Sequence, residues 1–320
     1  MKVAAVGAGK IVNMWLSAIK DMEEVICTAV YVRAASIKKG EMLAAKYSIE
    51  KVYTDFQEML NIEEIDFIYI GVSNDAHFSF AKQALCNNKN VILEKPFTTT
   101  VAEAQELVQI AQERKLFLFE AIKNLYSPLL AKMQEALPKI GEIKMVQSNF
   151  SQISSRYKEY QAGKIHPIFD YQMHGGALYD LNVYNLHLMV HLFGEPSENH
   201  YYANKGKGGA DMSGIINMRY PHFVASAAAA KDAAGEGYFL IQGDQGYIKA
   251  IGEPCLLPKL EISTEEGQET YLDEGSKTSM KYEFAWFWEI WQDGNYRACI
   301  KKMEQTIKVM KILDYLWQEI

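Results

Sequence analysis

Short apolar runs alternate with helical patterns from residue 3 to residue 119, and few chain organisations satisfy that grammar. Residues 3–6, 25–32, 67–70, 91–93 and 116–119 read as strands, and residues 11–19, 37–47, 76–86 and 101–114 carry a helical periodicity between them. Strands apolar on both faces, each followed by a helix, imply a parallel sheet covered on both sides. After about Ile122 the grammar changes. A helix over 129–137 ends at Pro138 and a Gly141 turn, and alternating stretches follow at 143–153, 213–220, 223–230, 238–242 and 256–263. They read as strands joined by Gly-, Asn- and Pro-containing turns. An apolar helix spans 177–193, and two helical segments, 282–291 and 300–317, close the chain. The expected organisation is therefore α/β over residues 1–122, then a sheet-rich α+β domain over 123–320. The pattern of the last helix allows packing on either half.

A chain of 320 residues accommodates two such domains and needs neither disulfide nor metal to fold. Its net charge of −7 and pI near 5.6 argue against nucleic acid as the main partner, because phosphate binding needs a basic face. Cys27, Cys86, Cys255 and Cys299 lie far apart with no Cys-x-x-Cys pair, which fits a reducing, cytoplasmic setting. The N-terminus opens into a strand, not a secretory leader, and no apolar run reaches membrane-span length.

Gly7-Ala8-Gly9 stands between the first strand and the first helix. The first glycine permits the tight turn, the second lets backbone N–H groups approach a pyrophosphate, and the helix N-terminus adds partial positive charge. In this context the turn reads as a dinucleotide site in a doubly wound Rossmann sheet, with Lys10 and Ile11 opening the helix; a glycine turn without ligand is the plainer alternative. Val12 replaces the small third residue of the fingerprint, so a slightly wider helix–strand packing is expected there. The second strand ends without a carboxylate to hold a ribose 2′-OH. Arg33 stands there instead, with Lys38 and Lys39 beyond it, which predicts NADP(H) over NAD(H). A solvated arginine is the bland reading of the same residue. Ser73 and Asn74 follow the strand at 67–70 and belong to the sheet's carboxyl edge, where ligands sit. His77 lies in the helix behind them, as a packing residue or a cofactor contact. Glu94-Lys95-Pro96 ends the strand at 91–93, so Lys95 emerges at that same edge; Glu94 and Lys95 are candidate cofactor contacts, and Glu94 reads as a loop anchor rather than a reacting group.

The helix at 177–193 follows Gly175-Gly176, and its only charged residue is Asp180. At 100° per residue Asp180, Tyr184, His187 and His191 share one face, a polar stripe suited to a cleft. An ordinary amphipathic face with partnered histidines is the alternative. His187 and His191 have zinc-like spacing, but no third ligand is evident, and no metal is expected. Phe284, Trp286, Phe287, Trp288 and Trp291 form an aromatic cluster that reads as core or interface. Lys231-Asp232 ends a strand, facing either substrate or a surface turn.

Four segments, VGAGKIV, GVSNDAHFSFAKQAL, NVILEKPF and HGGALYDLNVYNLH, together resemble the glucose–fructose oxidoreductase / inositol dehydrogenase family (Gfo/Idh/MocA). The stretch FEAIKNLYSP is similar to its dihydrodiol-dehydrogenase-type branch, which usually has Arg where Leu125 stands. The resemblance implies NAD(P) binding and an open-faced, mostly antiparallel sheet in the second domain, with helices on one face. It also implies a homodimer or homotetramer built on that sheet, and a sugar, polyol or diol substrate. It makes Lys95 catalytic, with Asp180 and Tyr184 filling the Asp-x-x-x-Tyr/His pair and His187 beside the substrate. Hydride transfer at carbon needs proton transfer at its oxygen, and Tyr184 is the expected donor, with Lys95 as the alternative. A non-catalytic dinucleotide-binding regulator, or a hydrolase using transient oxidation, are the competing functions on such a fold.

Overall fold

The computed structural model describes residues 1–62 and 64–320. The chain does not divide at a single point. One unit comprises Met1–Ala121 with Met280–Ile307, and the other Ile122–Ser279 with Lys308–Ile320. Residues 280–307, which one boundary near Ile122 leaves in the second domain, thus stand with the first.

The first unit contains β1 (Lys2–Val6), α1 (Lys10–Ile19), β2 (Ile26–Tyr31), α2 (Ile37–Tyr47), β3 (Lys51–Tyr53) and α3 (Phe56–Leu60). It continues with β4 (Phe67–Ile70), α4 (Asn74–Cys86), β5 (Asn90–Glu94), α5 (Val101–Arg114) and β6 (Leu118–Ala121). The sheet is parallel throughout, in the order β3-β2-β1-β4-β5-β6. This is the doubly wound Rossmann order, with its switch point between β1 and β4. Val3–Val6 and Phe67–Ile70 are wholly buried, as a sheet covered on both faces requires. Thr100 caps α5, accepting from the Glu103 N–H while the Glu103 carboxylate accepts from Thr100, a reciprocal capping box.

The second unit contributes α6 (Pro128–Ala136), β7 (Ile143–Ser151), α7 (Tyr157–Gln161), a π-helical turn (Leu178–Asn182) and α8 (Val183–Phe193). Then come β8 (Glu198–Lys205), β9 (Asp211–Arg219), β10 (Val224–Ala230), β11 (Tyr238–Gly243), β12 (Gly246–Ile251), β13 (Lys259–Thr264) and β14 (Gly267–Leu272). They form one eight-stranded sheet in the order β14-β13-β12-β11-β7-β10-β9-β8, antiparallel except where β10 runs parallel to β7. The pleat sorts its side chains. Ile216 and Met218 of β9 are buried, whereas Ile215, Asn217 and Arg219 are exposed. Strand register carries the face of Ile215 across the sheet, so that exposed Met145, Tyr202, Val224, Tyr247 and Leu272 lie on that same face.

The last helices, α9 (Met280–Gln292) and α10 (Tyr296–Trp317), show what the aromatic cluster does. Phe284 packs on Trp15 of α1 at 5.5 Å, Phe287 stacks on Phe119 of β6 at 4.5 Å, and Trp291 meets Phe67 of β4 edge-on at 5.8 Å. The cluster is core of the first unit. Thr306 of α10 donates to the buried Glu120 carboxylate of β6 at 2.7 Å. The C-terminal end of α10 belongs to the second unit, where Trp317 stacks on Tyr171 at 4.5 Å and on His174 at 5.0 Å. Glu319 accepts from the Tyr201 N–H of β8 at 2.5 Å.

Candidate active site

The carboxyl edge of the parallel sheet is built around two glycines at the switch point. Gly7 follows β1 with φ of +108°, and a Cβ there would lie 2.8 Å from the Gly71 carbonyl oxygen. Both conformation and space demand glycine. Gly9 is different: it stands at the N-cap of α1 with no side-chain cap, and nothing lies within 4 Å of where its Cβ would be. The open space before Lys10 and Ile11, at an uncapped helix start, is the cradle an anionic pyrophosphate requires. Val12 is fully buried, and a Cβ at Gly71 would sit 2.8 Å from a Val12 methyl carbon. The bulk at the third fingerprint position is thus accommodated by a glycine on the neighbouring strand.

Arg33 is exposed at the end of the segment following β2, as are Lys38 and Lys39, and no acidic residue among the described ones pairs with it. Ser73 caps α4 by position and is exposed, with Asn74 half-buried beside it. His77 turns inward. It is 1% exposed, and its Nδ1–H donates to the Pro96 carbonyl at 2.9 Å. Burial holds its pKa below the ordinary value. The contact ties α4 to the Glu-Lys-Pro loop.

In that loop the Tyr69 hydroxyl donates to Glu94 Oε1 at 2.7 Å, and the Tyr69 ring is stacked by Trp15 at 4.2 Å. Glu94 is 5% exposed, and the Tyr69 bond ties it into the loop. From Val91 to Thr99 every residue is buried except Lys95. The loop is a rigid support that presents one ammonium.

In the second unit the N-terminus of the polar-striped helix rests on a buried carboxylate. Asp211 of β9 accepts from the Leu178 N–H at 2.6 Å and from the Tyr201 hydroxyl at 2.6 Å. Gly176 has φ of +128°, and a Cβ there would stand 1.9 Å from Asp211 Oδ1, so this glycine lets the carboxylate in, whereas a Cβ at Gly175 would meet the Pro167 carbonyl oxygen at 2.2 Å. Burial pushes the Asp211 pKa up to about 6, against the Tyr201 and Leu178 bonds and the Lys231 charge, which pull it down. The helix then opens as a π turn, a form often found at functional sites, so regular 100° spacing from Asp180 to Tyr184 does not hold. Asp180 pairs with Lys231 at 2.5 Å. Tyr184 is 8% exposed and edge-on to Phe150 of β7 at 5.9 Å. Asn124 donates to the Tyr184 carbonyl and to the Pro254 carbonyl, both at 3.1 Å. His187 is 1% exposed on the next turn of the same helix.

Asp211 and the buried state of Lys231 escape a sequence reading. The one available signal is a lysine ending the alanine-rich strand β10. Among the described residues no cluster of His, Cys, Asp and Glu could hold a metal, and no helix is long and apolar enough to cross a membrane.

Residues 1–121 match the model of the oxidoreductase family with an NAD-binding Rossmann fold, and residues 132–249 match the GFO/IDH/MocA C-terminal domain. The uncharacterized oxidoreductase YgjR of Escherichia coli (strain K12) is 31% identical over 264 residues, 81% of this chain and 80% of that protein. The scyllo-inositol 2-dehydrogenase (NADP(+)) IolU of Bacillus subtilis (strain 168) is 28% identical over 98% of this chain and 95% of its own. KijD10, a 3-ketoreductase from Actinomadura kijaniata solved with NADP and TDP-benzene, shares the fold. Its TM-score is 0.86 at 18% identity, covering 98% of this chain and 96% of that one.

Proposed function

The chain belongs to the GFO/IDH/MocA family of oxidoreductases, and from that membership we propose that Lys95, Asp180 and Tyr184 serve one substrate oxygen. The protein is an NAD(P)-dependent oxidoreductase acting on a hydroxyl or carbonyl of a sugar, polyol or diol. The observation that carries the residue assignment is the Glu-Lys-Pro loop, where a buried framework presents Lys95 alone. When bound at the Gly7–Gly9 turn, a nicotinamide dinucleotide supplies or accepts the hydride. The Lys10 and Ile11 end of α1 holds its pyrophosphate, and Ser73 and Asn74 flank its ribose. The Lys95 ammonium stabilises negative charge developing on the substrate oxygen. Tyr184 passes the proton to or from that oxygen, and Asp180 orients the reacting group. Initial rates at 340 nm across polyols, aldoses and vicinal diols, with each cofactor, test the reading. One class should turn over. NADPH binding with no turnover across the panel would instead favour a regulator.

The cofactor is NADP(H) in preference to NAD(H), supported by IolU and by an exposed Arg33 without a carboxylate partner. Arg33→Ala should weaken NADPH binding about tenfold and leave NADH binding nearly unchanged, as loss of one charge-assisted phosphate contact implies. Titration of both cofactors by fluorescence reads this out, and equal losses would remove Arg33 from the 2′-phosphate.

The second unit self-associates through its sheet. Met145, Tyr202, Ile215, Val224, Tyr247 and Leu272 give one face exposed apolar side chains that a partner would cover. Light scattering at micromolar concentration should give a dimer or tetramer; monomer alone would refute it. A cytoplasmic location is supported by four cysteines, none in a disulfide.

A further inference from the structure

Lys231 is 2% exposed, an unusual place for an ammonium. Its backbone is pinned on both sides: its N–H donates to the Met212 carbonyl at 2.7 Å, and its carbonyl accepts from the Ser154 N–H at 2.8 Å. The side chain runs inward from the end of β10. Its Nζ lies 2.5 Å from Asp180 Oδ2 and 5.6 Å from the centre of the Phe169 ring. The titratable groups around it are Asp180 from the π turn and Asp211 from β9, whose carboxylate feels the Lys231 charge and holds the Tyr201 hydroxyl of β8. A charge buried this way contributes little net stability, because desolvation offsets the attraction. What it provides is geometry. The carboxylate of Asp180, still 37% exposed, sits on a widened helical turn and is held at one oxygen by a buried ammonium.

We propose that Lys231 is a positioning residue for the reaction: its ion pair fixes the Asp180 carboxylate in orientation and keeps it ionised, so that Asp180 can order the proton-transfer group. Asp211, which seats the start of the same helix through the Leu178 N–H, also interacts electrostatically with Lys231. The proposal rests on the assignment of Asp180 to the reaction, and the experiment separates the two.

The test uses the NADP⁺-loaded protein labelled with ¹³Cγ-aspartate, the Asp180 signal being assigned by its absence in Asp180→Asn. Lys231→Met preserves length and apolar stem, and Lys231→Gln replaces it should Met not fold. In either variant the Asp180 carboxyl should titrate at least one pH unit higher than in the wild type. With the substrate found by the polyol, aldose and diol screen, kcat should fall tenfold or more, the acid limb of its pH profile should move up, and KM for NADPH should stay within twofold. Lys231→Arg should bring the Asp180 midpoint back toward that of the wild type and restore part of kcat. A merely structural lysine would lower Tm without moving the Asp180 midpoint or the pH profile, and that result overturns the proposal. A raised midpoint with unchanged kcat also overturns it. Wild-type turnover in Asp180→Asn would show that the underlying assignment of Asp180 had failed and would take the proposal with it.

Discussion

Lys95→Met should lower kcat by about 10²–10⁴-fold, the range expected when a positioned acid–base or electrostatic group is lost, while NADPH affinity stays within a few-fold. The expectation follows from how the loop is built. Glu94 is held by Tyr69, Tyr69 is stacked under Trp15, and the Pro96 carbonyl is held by His77. These contacts hold the loop from its other residues, so the substitution should leave the far-ultraviolet dichroism that of a folded protein. Methionine keeps the unbranched stem and removes only the charge. Tyr184→Phe should cost less, about 10–10²-fold, because a positioned cation remains to stabilise the oxygen. Its ring contact with Phe150 survives the change. Steady-state kinetics with a deuterated substrate decides the matter. A primary isotope effect shows that chemistry limits the rate, and near-wild-type kcat in both variants under that condition would remove the assignment.

The two glycines of the phosphate turn should both lose cofactor affinity when substituted, but differ in stability. Gly9→Ala places a methyl in open space, so the fold should persist with unchanged Tm. That space is the pyrophosphate site proposed above, and NADPH affinity should fall about tenfold or more, a loss of ~1.4 kcal/mol or above. Gly7→Ala forces a side chain into φ of +108° and against the Gly71 carbonyl. The backbone strain is about 1–3 kcal/mol, and Tm should drop roughly 5–10 °C alongside the loss of binding. Calorimetry of the two variants with and without NADPH separates them. Equal Tm losses for both would mean that Gly9 is needed for packing, not for ligand access.

Residues 3–6 and 67–70 announce themselves because a strand buried on both faces must be apolar throughout, and the glycine turn between strand and helix fixes the switch point. β3 does not, since three residues with an exposed lysine carry no periodicity. β8 and β14 are hidden for a related reason. They are sheet edges, and sequences such as ENHYYANK and GQETYL are mostly polar because little of them is covered. The polar stripe on the 177–193 helix is legible as composition but not as geometry. Its π turn lies where Asp211 and Gly176 fix the helix start, and Asp211 lies a strand away in sequence. Lys231 reads as a strand end with two equal interpretations because only the packed structure brings Asp180 to it. The aromatic cluster at 284–291 is visible at once, yet its partners Trp15, Phe67 and Phe119 precede it by most of the chain.

That last separation bears on how the protein is made. The Rossmann sheet is complete in sequence at Ala121, but Phe284, Phe287, Trp291 and Thr306, which fill and tie its core, leave the ribosome only after the whole intervening sheet. At ~5–20 residues per second the nascent first unit waits on the order of ten seconds or more with Phe67 and Phe119 uncovered. The order of synthesis therefore runs against the order of domain completion. All strands of the eight-stranded sheet are made before the first unit can close, so its apolar surface stays open longer than in a chain with two contiguous domains. A fragment ending at Ala121 should aggregate rather than fold.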